Sequence, residues 1–63
     1  MAEKIQPFKF NVGDKVSGHK HGFGKVYGII TGRTYLSQGT PLYWIKDDNG
    51  ATFKLPQHQV RGQ

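Results

Sequence analysis

Nine glycines and three prolines are scattered through the chain, and they leave no room for a long helix. No stretch places apolar residues at i, i+3, i+4 and i+7 over even three turns. What lies between the breakers is short and rich in branched and aromatic residues, as strands are. The first run is Val12–Gly18, opened by a Gly13-Asp14 turn and marked as half-buried by Val12 and Val16. The second, Gly24–Thr34, carries Val26, Tyr27, Ile29, Ile30 and Thr31 and is the strongest strand signal. A third run, Leu42–Asp47, meets Asp48-Asn49-Gly50, where Asn-Gly supplies positive φ cheaply and predicts a tight hairpin. The fourth, Ala51–Leu55, is stopped by Pro56, which has no N–H for the ladder. Gln57–Gln59 reads as one short helical turn before a last piece of strand at Val60.

Five short strands with close turns predict an all-β fold, a small five-stranded SH3-like or Tudor-like barrel with one short 3-10 turn near the C-terminus. Residues 1–7 read as a flexible leader, 8–60 as a single domain and 61–63 as a frayed tail. The polar connection Tyr35–Pro41 is the loop expected to move most.

A chain of 63 residues buries only about 60% of the surface its unfolded form exposes, so the core is small. There is no cysteine, hence no disulfide framework and no thiolate metal site. Stability has to come from strand pairing, a few aromatics or assembly, and the sequence leaves the oligomeric state open. Nine Lys and Arg against four Asp and Glu give a formal charge of +5. That excess favours polyanionic partners such as nucleic acid, an acidic protein face or a membrane surface. No apolar run approaches the ~18 residues of a membrane span, and the N-terminus lacks a signal-peptide core, so the expected location is cytoplasmic.

The candidates for chemistry are thin. His19 and His21 lie two apart and share a face on an extended strand, but zinc wants three or four ligands and only the distant His58 is left to help. The sequence predicts no metal site. Among the acids, Glu3 is in the leader, Asp14 in a turn, and Asp47 and Asp48 flank the hairpin, so they read as turn formers rather than an acid–base pair. Ser17 and Ser37 sit in no nucleophile signature. Gly18-His19-Lys20-His21-Gly22-Phe23-Gly24-Lys25 is not a P-loop, since Val26 follows the lysine, and it reads as a tight turn. An anion held by its backbone N–H groups is the one alternative use of that turn.

Lysines and arginines alternate with aromatics along the whole body. Charge beside rings suits single-stranded nucleic acid, where cations track phosphates and rings stack on bases. Lys15, Lys20, Lys25, Arg33 and Lys54 are the residues this reading selects. A small barrel needs rings for its core and lysines for solubility, and the same residues fit that as well. Tyr43 and Trp44 are adjacent and must face opposite ways on a strand. The sequence predicts Tyr43 and Ile45 inward and Trp44 outward, a ring available to an interface.

Several segments carry a family resemblance. Val12-Gly13-Asp14-Lys15-Val16, then His21-Gly22-Phe23-Gly24-Lys25-Val26, then Gly28-Ile29, resemble the opening of the RNA-polymerase-interacting, Tudor-like domain shared by CarD regulators and the transcription-repair coupling factor. Leu42–Lys46 is similar to its central strand, and Phe53-Lys54-Leu55-Pro56, with Gln59-Val60 after it, to its strand end. Gly18 departs from the larger residue usual there. The resemblance implies docking on the β subunit of bacterial RNA polymerase through an exposed strand edge, by β-augmentation. Arg33 is the match to its basic contact, and Arg33, Tyr35, Trp44, Lys46 and Lys25 are the expected partner surface of a small regulator, for example a phage-encoded one. A second likeness is to plasmid-type small-barrel dihydrofolate reductases, through Gly13-Asp14-Lys15-Val16 and Gly24-Lys25-Val26-Tyr27-Gly28. Their active-site strand carries a glutamine and a tyrosine before the proline, whereas this chain reads Thr52-Phe53-Lys54-Leu55-Pro56. The expectation is therefore a binding module rather than an enzyme, with no cofactor. Its partner is RNA polymerase or an associated factor, the alternatives being a nucleic-acid binder and a tetrameric reductase.

Overall fold

The computed structural model describes residues 5–62. It is all-β: β1 (Lys15–Lys20), β2 (Gly24–Tyr35), β3 (Pro41–Lys46), β4 (Thr52–Pro56), a 3-10 turn (Gln57–Gln59) and β5 (Val60–Gly62). The strands form one antiparallel sheet in the order β4-β3-β2-β1-β5. The strands and the 3-10 turn follow the expectation. The sheet curls but does not close, so β4 and β5 remain its two margins. No helix among the described residues is long and apolar enough to cross a membrane.

Alternation writes the core. Val16, Val26, Ile30, Tyr43, Ile45, Leu55 and Val60 point to the inside of the curl and are buried. Each contributes on the order of 1.5–3 kcal/mol of transfer free energy. Two glycines let the strands come this close. A Cβ on Gly18 would stand 2.5 Å from Leu55 Cδ1 and 2.9 Å from the Gln59 carbonyl oxygen. A Cβ on Gly28 would stand 2.3 Å from the carbonyl oxygen of Lys46. Gly18 thus has a packing reason to be small, since it lets β4 and the 3-10 turn lie against β1. At one end of the curl, Phe23 in the β1–β2 turn meets Phe53 of β4 with ring centroids 5.0 Å apart. At the other end the leader closes the core.

The turns behave as their residues demand. Gly50 has φ +86°, and Asp47 Oδ1 accepts from the amides of Asn49 and Ala51 at 3.0 and 2.9 Å, holding the β3–β4 hairpin. The connection after Tyr35 is braced by Leu36 N donating to Thr40 O at 2.8 Å and Gly39 N donating to Leu36 O at 2.9 Å.

The boundaries differ from the sequence reading chiefly at the two ends of the fold. The first strand starts at Lys15, because residues 11–14 form a turn in which Asn11 N donates to Asp14 Oδ2 at 2.9 Å. Val12, expected half-buried, is 58% exposed in that turn. Arg61 and Gly62, expected to fray, pair with Ser17 and Val16 as β5. Residues 1–4 of the expected leader, Glu3 included, and Gln63 lie outside the described residues.

Candidate nucleic-acid interface

Directly opposed residues of antiparallel strands share a face. Across the outside of the sheet the register therefore lays down rows. Lys15, Ile29, Lys46 and Thr52 form one, running over β1, β2, β3 and β4. Gly32, Trp44 and Lys54 form the next. On the other side come Tyr27, Ser17 and Arg61, then Lys25 and His19. Lys15 and Lys46 lie two strands apart, about 10 Å. Among the described residues no strand contains Asp or Glu, while the strands together hold Lys15, Lys20, Lys25, Arg33, Lys46, Lys54 and Arg61. Asp14, Asp47 and Asp48 all sit in turns.

Rings and apolar groups stand among these cations. Tyr27 is 54% exposed and Ile29 44% exposed. The Lys25 ammonium lies 5.5 Å from the centre of the Tyr27 ring. Tyr27 divides two open hollows, one of ≈ 450 Å³ lined by Lys15, Tyr27, Gly28, Ile29 and Asp48, the other on the Phe23 side. Trp44 is half-buried, with its indole against Gly32, whose Cβ would stand only 3.4 Å from Cε3. Tyr43 and Ile45 are fully buried, so the strand faces are those predicted. Ring faces set among cations can hold stacked bases and their phosphates together.

Arg33 and Tyr35 go elsewhere. The register slips between Ile30 and Gly32, a bulge at Thr31. Beyond it Arg33 opposes Tyr43 and Tyr35 opposes Pro41, on the core face rather than the outer one. There the leader crosses the sheet. Tyr43 OH donates to Gln57 Oε1 and accepts from Lys9 N at 3.1 Å and Phe10 N at 3.3 Å. Gln57, only 7% exposed, also accepts from Lys9 N at 2.9 Å and donates to the Pro7 carbonyl oxygen at 3.2 Å. Phe8 stacks on Tyr35 with centroids 4.5 Å apart, and the Arg33 guanidinium lies 4.4 Å from the Phe8 ring centre. Arg33 Nη1 also donates to Phe10 O at 2.8 Å and Asn11 Oδ1 at 3.0 Å. Arg33 and Tyr35 are thus engaged within the chain.

Of the residues selected for a protein partner, the structure brings Lys25, Trp44 and Lys46 to the outer face. Of those selected for nucleic acid, it brings Lys15, Lys25 and Lys54. Lys20 opposes Gly24 with the inward parity of Val16 and Gly18. Sequence reasoning missed Arg61, since a three-residue strand shows no periodicity. It also left Tyr27 and Ile29 out of the selection, although strict alternation from Lys25 predicts their side.

No protein-family model, curated protein or solved structure matches this chain.

Proposed function

We propose that the chain is a binding module with no chemistry of its own, and that its outer face holds single-stranded nucleic acid. The observation that carries this reading is the segregation of charge: cations on the strands, described acids confined to turns. Lys15, Lys46 and Lys54 track the phosphates, while Tyr27 and Trp44 offer rings on which bases stack without regard to sequence. Neutralising three or four phosphates of a single strand gives a slope of log affinity against log salt of about −2 to −3. Fluorescence anisotropy with a labelled oligothymidylate, of a length within the ~4–16 nucleotides small barrels occupy, tests this directly. Binding that ignores salt, or none at low salt, removes the proposal.

A protein-docking reading has one observation in its favour. Among the described residues β4 is laddered only with β3, which leaves its other margin for strand addition. Trp44 and Lys46 lie on the neighbouring strand. In this reading the partner is RNA polymerase or an associated factor, as the motif resemblance implies. It predicts that a pulldown from bacterial lysate returns a polymerase subunit after nuclease treatment, and that Trp44→Ala weakens the capture. A pulldown without polymerase subunits discards it.

A further inference from the structure

Beside the outer face, β5, β1 and the 3-10 turn meet. A groove of ≈ 550 Å³ opens there, lined by Ser17, Gly18, His19, Lys25, His58, Gln59 and Arg61. Its side chains arrive from four elements: His19 from β1, Lys25 from β2, His58 from the 3-10 turn, Arg61 from β5. The register explains why they converge. Arg61 opposes Ser17 and Lys25 opposes His19, so the two cations flank β1 from either side. The bare Gly18 brings the 3-10 turn against β1, which sets His58 at the same opening. No carboxylate lines the groove.

We infer that this groove takes a phosphate monoester, and that in the bound strand it is the terminal phosphate that seats there. A monoester carries about −1.5 to −2 charge and three strong acceptor oxygens, against a single charge on each internal phosphodiester. The groove offers an ammonium, a guanidinium whose fork suits phosphate, two imidazoles and the Ser17 hydroxyl, a donor set matched to a compact multivalent anion. The flatter lysine rows suit a backbone that runs past. The alternative, that these are scattered solubilising charges, does not account for five donors from four elements around one hollow with no acid among them. The inference rests on the nucleic-acid reading only for the source of the phosphate; the chemistry of the groove stands by itself.

The test compares 5′-phosphorylated and 5′-hydroxyl oligothymidylate of equal length, with thymidine 5′-monophosphate as a third probe, by anisotropy and by amide shifts of the ¹⁵N-labelled protein. The phosphorylated strand is expected to bind about tenfold tighter, as charge-assisted hydrogen bonds allow, with the largest shifts at Ser17, His19, His58 and Arg61. Arg61→Gln and, separately, His58→Gln should collapse the ratio between the two strands. Both side chains are exposed, and an unchanged melting curve verifies that each variant folds. If the mononucleotide binds the groove while neither strand binds, a free nucleotide is the source; the groove assignment stands and the strand reading falls. Equal affinity for both strands with no groove shifts from the mononucleotide overturns the inference and leaves the strand reading intact. A phosphorylation preference that survives both substitutions overturns it too.

Discussion

The two halves of β2 carry the same kinds of residue and put them to opposite uses. Before the bulge, Lys25 and Tyr27 point outward, a cation beside an exposed ring. After it, Arg33 and Tyr35 turn to the core face and hold the leader by a guanidinium over Phe8 and a ring stack. One bulged residue, Thr31, separates the stretch whose cation and ring point outward from the stretch whose cation and ring pack onto the leader. Residue type therefore does not decide which cation serves an interface; the parity of the strand at that point does.

Substitutions that break or sharpen this contrast can be ranked. The largest effect belongs to neither use but to the strand that carries both. Gly28→Ala drives a methyl into the Lys46 carbonyl, a backbone atom that cannot swing aside. We expect a loss of about 3 kcal/mol, the upper end of ordinary overpacking, read by urea or thermal melting. Next is Tyr43→Phe, which leaves Phe10 N without its acceptor and removes a donor from Gln57. A loss of about 2 kcal/mol is expected, with faster hydrogen exchange of the leader amides. On the outward half, Tyr27→Ala should weaken oligothymidylate binding by about 1–2 kcal/mol through a lost stacking platform, with stability nearly unchanged. Its counterpart, Arg33→Ala, should show the mirror image: about 1 kcal/mol less stable, with nucleic-acid affinity unmoved. If Arg33→Ala weakens binding as much as Tyr27→Ala, the division of β2 is wrong. The smallest effect is expected from Asp48→Asn. It removes the acid beside the Lys15 and Tyr27 hollow and should tighten binding about twofold at low salt, an effect that fades as salt rises.

The parts of this molecule legible in the sequence are those governed by local chemistry. Asn49-Gly50 fixed its hairpin because few other pairs take positive φ so easily. Pro56 ended β4, and Gln57–Gln59 formed the expected 3-10 turn. Burial of Tyr43 beside a half-exposed Trp44 followed from alternation. What stayed hidden depends on distant partners. The bulge at Thr31 reverses the face of every residue after it, and only Gly32, an isolated glycine inside a strand, hinted at it. Without the bulge, alternation groups Arg33 and Tyr35 with Lys25 and Tyr27. Gln57 looked like one more polar residue in a turn, because its partners Lys9 and Pro7 lie some fifty positions away, at separations of 48 and 50. Arg61 gained its place only through β1, a contact that local pattern cannot reveal.

The hydroxyl of Tyr43 and the amide of Gln57 grip the leader by main-chain atoms: the amides of Lys9 and Phe10 and the carbonyl of Pro7. A clasp of that sort measures length rather than spelling. Exchanging Lys9 for almost any other residue leaves it intact, whereas removing a single residue between Pro7 and Asn11 slides Phe8 and Phe10 off their seats at once. Lys9 is thus free to drift in composition, while Phe8, Phe10 and their spacing to β1 are locked.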